Sequence, residues 1–154
     1  MQSFRNLQLP ESFQVVVTAD GSPSLEFFHS QQLHETMHHS GGALSESLYI
    51  YGEALEMAIA NSWPLKVLSV GLGLGYNEIL SAALSVKSNT ALECLSSYES
   101  VDFLRESFQL WLQGEPSPLE PVYQYICDQC SNKFSLDPLL IPQRLRSMHM
   151  KKTF

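Results

Sequence analysis

The sequence predicts an α/β fold: a β-hairpin near the N-terminus, then an incomplete sheet built on one βαβ unit, with extra helices. Three observations carry this. An Asp-Gly turn lies between two β-branched and aromatic runs at 13–28. A short apolar run at 65–71 feeds a glycine-rich loop and a helical pattern. A second, more polar strand pattern follows at 90–100.

The hairpin is read from "FQVVVTADGSPSLEFF". Glycine supplies the positive φ such a turn needs, so Asp20-Gly21 between two strand-like runs is a strong hairpin signal. Strands are expected at 13–18 and 24–28. The polar, glycine-broken stretch 29–46 reads mostly as loop. Ser45 or Ser47 then caps a helix in which Leu48, Tyr51, Leu55, Ala58 and Ile59 share a face, closed by Pro64.

"LKVLSVG" is a nearly continuous apolar run, which suits a buried parallel strand. The helix "YNEILSAALSV" follows it, and "TALECLSSYES" is the second strand of the unit. An amphipathic helix at 101–113 groups Val101, Leu104, Phe108, Trp111 and Leu112. A proline-rich break at 114–121 precedes another helix at 122–134 and a tail with two prolines and room for one short helix. Only two strands of a doubly wound sheet are legible, where a complete sheet of that class carries five or more.

Bulk properties narrow the function. The chain has 154 residues, one domain's worth, with 44% hydrophobic and 16% charged residues. A net charge of −7 is not a nucleic-acid footprint, and the only basic bias is in "RLRSMHMKK". No apolar run approaches a membrane span, and the N-terminus lacks the apolar core of a secretory signal. Cys94, Cys127 and Cys130 form an odd set without a second CxxC, which predicts reduced thiols and a cytoplasmic protein. His34 and His38 have the i, i+4 spacing of a helical metal pair, but nothing completes a ligand set, so no metal is expected. Trp63, Trp111, Tyr123 and Tyr125 read as core rather than as nucleobase-stacking platforms. Glu35 reads as a solvated residue and Glu46 as a capping or pocket-wall residue rather than as general bases.

Gly71, Gly73 and Gly75 stand between a strand and a helix. Glycines there permit a tight turn and let a ligand approach the backbone, while the first helical N–H groups, from Tyr76 and Asn77 to Glu78, have no partner within the helix. An acid closing the second strand receives ribose hydroxyls, and Glu99 stands close to the roughly 20-residue spacing expected. The pattern G-L-G-L-G differs from the dinucleotide fingerprint. A nucleoside cofactor without a pyrophosphate, S-adenosylmethionine above all, fits it better.

Read in order, "TADGSPSLEFF", "HETMHHSGGALSESLYIYGEAL" and "VLSVGLGLGYNEIL" resemble the MnmC-like methyltransferase family over residues 13–113. The resemblance implies an N-terminal β-hairpin followed by a Rossmann-like methyltransferase fold that uses S-adenosylmethionine. The best-known members methylate the aminomethyl group of a modified wobble uridine in tRNA. Carried over, Gly71, Gly73 and Gly75 line the methionine part of the cofactor and Glu99 holds the ribose. His39, Ser40, Gly42 and Glu46 match the block that lies against the cofactor pocket, with Tyr51 packed nearby. The chain departs from the family at Ser69, where members carry an acid that holds the cofactor's ammonium; one charge-assisted contact is worth about 1.5–3 kcal/mol. Nothing after residue 113 matches the family's later Asp motif or its Asn-Pro…Trp segment.

The expectation is therefore a single, C-terminally truncated methyltransferase domain over 1–154, with a hairpin at 13–28, a cofactor half at 45–113 and a helical or irregular tail at 114–154. Cofactor binding is expected to be weak or lost, and no catalytic residue is assigned. The acceptor, a tRNA or another amine, rests on the resemblance alone, and the acidity argues against unaided tRNA binding. The alternative is a non-catalytic remnant or interaction protein, in which a second copy or a partner chain covers the open sheet edge.

Overall fold

Within Phe4, residues 6–28 and 33–150 (the last two by backbone alone), which the computed structural model describes, the Asp-Gly turn does form a hairpin. β1 (Phe13–Val17) pairs antiparallel with β2 (Pro23–Phe28), with Val17 opposite Pro23. Gly21 sits at φ +84° and donates its N–H to the Thr18 carbonyl. His29 and the end of the basic tail, Lys151 and Lys152, lie outside the described residues.

The stretch read as loop, 29–46, contains two elements. β3 (His34–Thr36) adds to the β2 edge, with Glu26 opposite Thr36. Three exposed residues carry no periodicity to read, and backbone pairing with β2 holds them. His34 Nδ1 lies 2.6 Å from Glu26 Oε1, and His38 Nδ1 lies 3.0 Å from Ser24 Oγ. The two histidines thus engage different β2 residues and do not share a helix face. α1 (Ala43–Ser47) starts before the serines expected to cap it, because its cap comes from the hairpin.

α1 continues through a π-helical turn (Leu48–Gly52) into α2 (Glu53–Ala60). The extra residue in a π turn rotates everything after it relative to an ideal α-helix. The face expected from Leu48, Tyr51 and Leu55 is therefore broken: Gly52 is buried and Tyr51 exposed. α2 ends ahead of Pro64, where Ser62 takes φ +56° and the Trp63 N–H returns to the Ala58 carbonyl. Trp63 is exposed and is not core, unlike Trp111 and Tyr123.

β4 (Leu65–Val70), α3 (Tyr76–Lys87) and β5 (Leu92–Tyr98) form the βαβ unit. β4 and β5 are parallel, with Val67 opposite Leu95 and Ser69 opposite Ser97. Buried residues lie all around α3, from Ile79 and Leu80 through Ala82, Ala83 and Leu84, as expected of a helix enclosed by others. Small Ser81 and Ser85 among them leave room for close neighbours.

α4 (Asp102–Gln113) buries Leu104, Phe108, Trp111 and Leu112, the expected face, and stops at Gly114 with φ +77°. Beyond the proline break, α5 (Glu120–Phe134) and α6 (Leu140–Met150) pack on α3. The tail is thus more ordered than its two prolines suggested, since Pro142 falls in the first turn of α6, where a missing N–H costs nothing. Val122, Tyr123, Ile126, Ile141 and Leu145 join the core by this route. Cys127 and Cys130 are free, buried thiols on α5, and burial pushes Cys130 up to about 12.

The result is a mixed α/β fold with one three-stranded antiparallel sheet and one two-stranded parallel sheet among the described residues. The parallel sheet is covered by α3 on one face. On the other, Leu68, Val70 and Tyr98 are exposed by 72%, 76% and 63%. No helix among the described residues is long and apolar enough to cross a membrane.

Candidate functional site

The glycine loop after β4 runs from Gly71 at φ +85° through Gly73 at +53° to Gly75 at +75°, which precedes α3. The three have different surroundings. A Cβ on Gly71 meets nothing within 4 Å, so this glycine faces open space. On Gly73 it meets the Met37 sulfur at 3.2 Å. On Gly75 it runs into the Phe108 ring at 2.7 Å. Gly75 is therefore needed for helix packing, and Gly71 keeps a surface clear.

Glu99 follows β5 and is 9% exposed. Its Oε2 accepts the Gly73 N–H at 3.0 Å and its Oε1 accepts the Val101 N–H at 2.9 Å. Each carboxylate oxygen has a second lone pair, so the side chain retains capacity to accept from a ligand. The Gly71 N–H is taken by the Tyr98 carbonyl at 2.9 Å, which fixes the loop to the strand end.

A cleft of about 310 Å³ opens beside this loop. Gly71, Gly73, Tyr76, Asn77, Glu99, Glu46 and Tyr51 all line it, so seven of the residues read from the sequence meet there. Gly75, His39, Ser40 and Gly42 are not among its lining. The cleft contains two carboxylates and neither Lys nor Arg.

Of the residues that miss the cleft, His39, Ser40 and Gly42 lie where α1 meets the hairpin. Gly42 stands at the start of α1 with Asp20 packed where a side chain would project. The Ser40 carbonyl accepts the Ala19 N–H. The His39 N–H is accepted by Glu46 Oε2 at 2.8 Å, a reach back across the helix start. Asp20 Oδ2 takes both the N–H and the hydroxyl of Ser45, while its Oδ1 takes the Ser22 N–H. The Ala43 and Leu44 N–H groups go to the hydroxyls of Thr18 and Ser22. The hairpin turn thus satisfies three orphan donors of α1. Burial works against the Asp20 charge, but the hydrogen bonds from Ser22 and Ser45 outweigh it and hold the carboxyl well below the usual range.

His38 is a lining residue that the spacing argument did not single out as part of a pocket. It is half-buried, with its ring edge-on to Tyr76 at 4.9 Å. Burial lowers its pKa despite Glu46 and Asp20, so the imidazole is neutral near pH 7. The Tyr76 hydroxyl donates to the Pro23 carbonyl at 2.6 Å, tying α3 to the hairpin under the cleft. Ser69, two residues ahead of Gly71, is buried, and its hydroxyl faces the Glu78 carboxyl of α3. Among those residues no group of three or more His, Cys, Asp or Glu is placed to hold a metal ion. Compared with protein-family models, with curated proteins and with solved structures, the chain has no match.

Proposed function

We propose that the cleft beside the glycine loop holds S-adenosylmethionine, and that the chain is a methyltransferase-like domain of the MnmC-like, Rossmann-like type. The observation that carries this reading is the charge of the cleft. Glu46 and Glu99 line it without a Lys or Arg. A cofactor with a sulfonium and an ammonium is favoured there by Coulomb attraction, whereas a dinucleotide pyrophosphate finds no cationic side chain. Glu99 is the acceptor for the ribose hydroxyls, and open Gly71 admits the methionine part. The methyl acceptor follows from the resemblance alone: an amine, with the aminomethyl group of a tRNA wobble uridine as first candidate.

Methyl NMR of the protein tests the choice of cofactor. S-adenosylhomocysteine is expected to bind and to shift the Met37 methyl resonance, and NAD is not. Binding of NAD with equal affinity would overturn the reading.

A second reading has its own observation. Leu68, Val70 and Tyr98 are exposed together on the uncovered sheet face, and a groove runs along β4 beside Leu55 and Ala58. An interaction protein whose sheet is completed by another chain fits that surface. Sedimentation at micromolar concentration separates the readings: a stable oligomer lost on Leu68→Lys favours the second.

A further inference from the structure

The glycine-loop cleft holds an imidazole, His38, beside its two carboxylates. His38 stands just after β3, and Glu46 stands on α1. Glu99 belongs instead to the glycine loop, through the Gly73 N–H. Glu46 is half-buried, and its Oε2 accepts the His39 N–H at 2.8 Å. A carboxylate with one such bond still has lone pairs to offer a ligand. The His38 ring is fixed from two directions. Its Nδ1 lies 3.0 Å from the hydroxyl of buried Ser24, and its face meets Tyr76 at 4.9 Å. With Nδ1 engaged by Ser24, Nε2 is the ring nitrogen left for a ligand. Glu46 and Asp20 are close enough for their charges to act on this ring. Tyr76 packs on it with a hydroxyl that burial keeps protonated, and Glu99 lines the same cleft.

A neighbouring acid and imidazole, in a cleft without Lys or Arg, match a ligand end that carries both charges. We propose that Glu46 and His38 form the subsite for a zwitterionic α-amino acid group, with Glu46 taking the ammonium and His38 the carboxylate. The inference rests on the reading of the cleft as an S-adenosylmethionine site, and it names the side chains that grip the methionine end. Burial keeps His38 neutral near pH 7 in the free protein. A ligand carboxylate beside the ring favours the imidazolium, so binding draws a proton from solvent onto His38. Affinity for such a ligand therefore falls as pH rises through the free-state pKa of His38, and levels off once the bound-state value is passed.

The test titrates the full chain with S-adenosylhomocysteine and with methylthioadenosine, which keeps the nucleoside and lacks the amino acid group. At about pH 6, S-adenosylhomocysteine is expected to bind at least about tenfold more tightly, the worth of one charge-assisted hydrogen bond. That ratio is expected to shrink as pH is raised to about 8, while methylthioadenosine binding stays constant. Glu46→Gln keeps an acceptor for the His39 N–H and removes the charge; it is expected to abolish most of the preference and to leave methylthioadenosine binding unchanged. His38→Gln keeps a side-chain N–H but takes up no proton, and is expected to make the ratio independent of pH. Equal affinity of the two ligands for the wild-type protein overturns the proposal and leaves the cofactor reading in place. So does a wild-type ratio that does not change with pH. Failure of both ligands to bind overturns the cofactor reading, and the inference falls with it.

Discussion

The Glu99 carboxylate accepts the Gly73 N–H at 3.0 Å and the Val101 N–H at 2.9 Å, so one side chain ties the glycine loop to the start of α4. Glu99→Ala is expected to leave two backbone donors unpaired and to cost about 1–3 kcal/mol of stability. It is also expected to weaken S-adenosylhomocysteine binding at least about tenfold, from loss of the ribose acceptor. Glu93→Ala is the control, because Glu93 is half-exposed, with the Lys66 ammonium 3.6 Å away. Titration and thermal unfolding of both variants check this; equal effects would place the ribose elsewhere.

The glycines separate fold from site. Gly75→Ala drives a Cβ against Phe108 at a positive φ, and is expected to cost about 2–4 kcal/mol. Gly71→Ala meets open space and is expected to cost only about 1 kcal/mol while reducing cofactor binding. At roughly 2–4 °C per kcal/mol the two differ clearly in a melting experiment. Identical melting temperatures would contradict this division of roles.

Asp20 joins the hairpin to α1, and Asp20→Ala is expected to cost about 1–2 kcal/mol, as for a lost helix cap. Its folded-state pKa lies below that of the unfolded chain, about 3.9. The charge therefore stabilises the fold above about pH 4, and that contribution disappears as pH falls through the folded-state value. Acid unfolding of Asp20→Asn should begin from lower stability and show a weaker pH dependence below about pH 4. A parallel acid profile would contradict the account.

Glu78 works in the opposite sense. Burial raises its pKa against the hydrogen bonds from Ser97 and Ser69, so the folded state holds the proton after the unfolded chain has released it near pH 4.3. Stability is therefore expected to fall as pH rises above about 4.3, until the folded-state pKa is passed. In Glu78→Gln that fall is absent, so the melting difference between variant and wild type should change as pH rises above about 4.3. A constant difference would mean that Glu78 does not titrate in the fold.

Local signals made the hairpin, the βαβ unit and the amphipathic α4 legible, because each depends on residues a few positions apart. Elements held from a distance were not. α1 begins at Ala43 since Thr18, Asp20 and Ser22 cap it, and no window around residue 43 contains them. β3 exists through pairing with β2. The π turn at Leu48–Gly52 breaks a helical face that reads as continuous in sequence. At the cleft, Gly71, Gly73, Glu46, Tyr51 and Glu99 were legible from motif and register. His38 was not, because a histidine that leaves its neighbours to meet Ser24 and Tyr76 carries no spacing signal. Glu78 was legible only as part of a helix start. Its burial depends on Ser97 and on helices far along the chain.

The residues at 114–150 form α5 and α6 and add no strand to the parallel sheet. Methyl transfer needs the acceptor fixed about 3–3.5 Å from the methyl carbon, and no element packed over the cleft from that stretch is placed to do so. Labelled-methyl transfer from S-adenosylmethionine to undermodified tRNA by this chain is therefore expected to stay at the no-protein background. Turnover lost on Gly73→Arg would show that the described elements suffice for catalysis.

Calorimetric titration of the chain with S-adenosylhomocysteine tests the cofactor cleft most directly. The buried, neutral Ser69 predicts measurable binding that is weaker than about 1 μM, roughly −8 kcal/mol, and that vanishes in Gly73→Arg. No heat at millimolar ligand, or an unchanged titration in Gly73→Arg, would contradict the claim that this glycine loop and Glu99 hold a methyl donor.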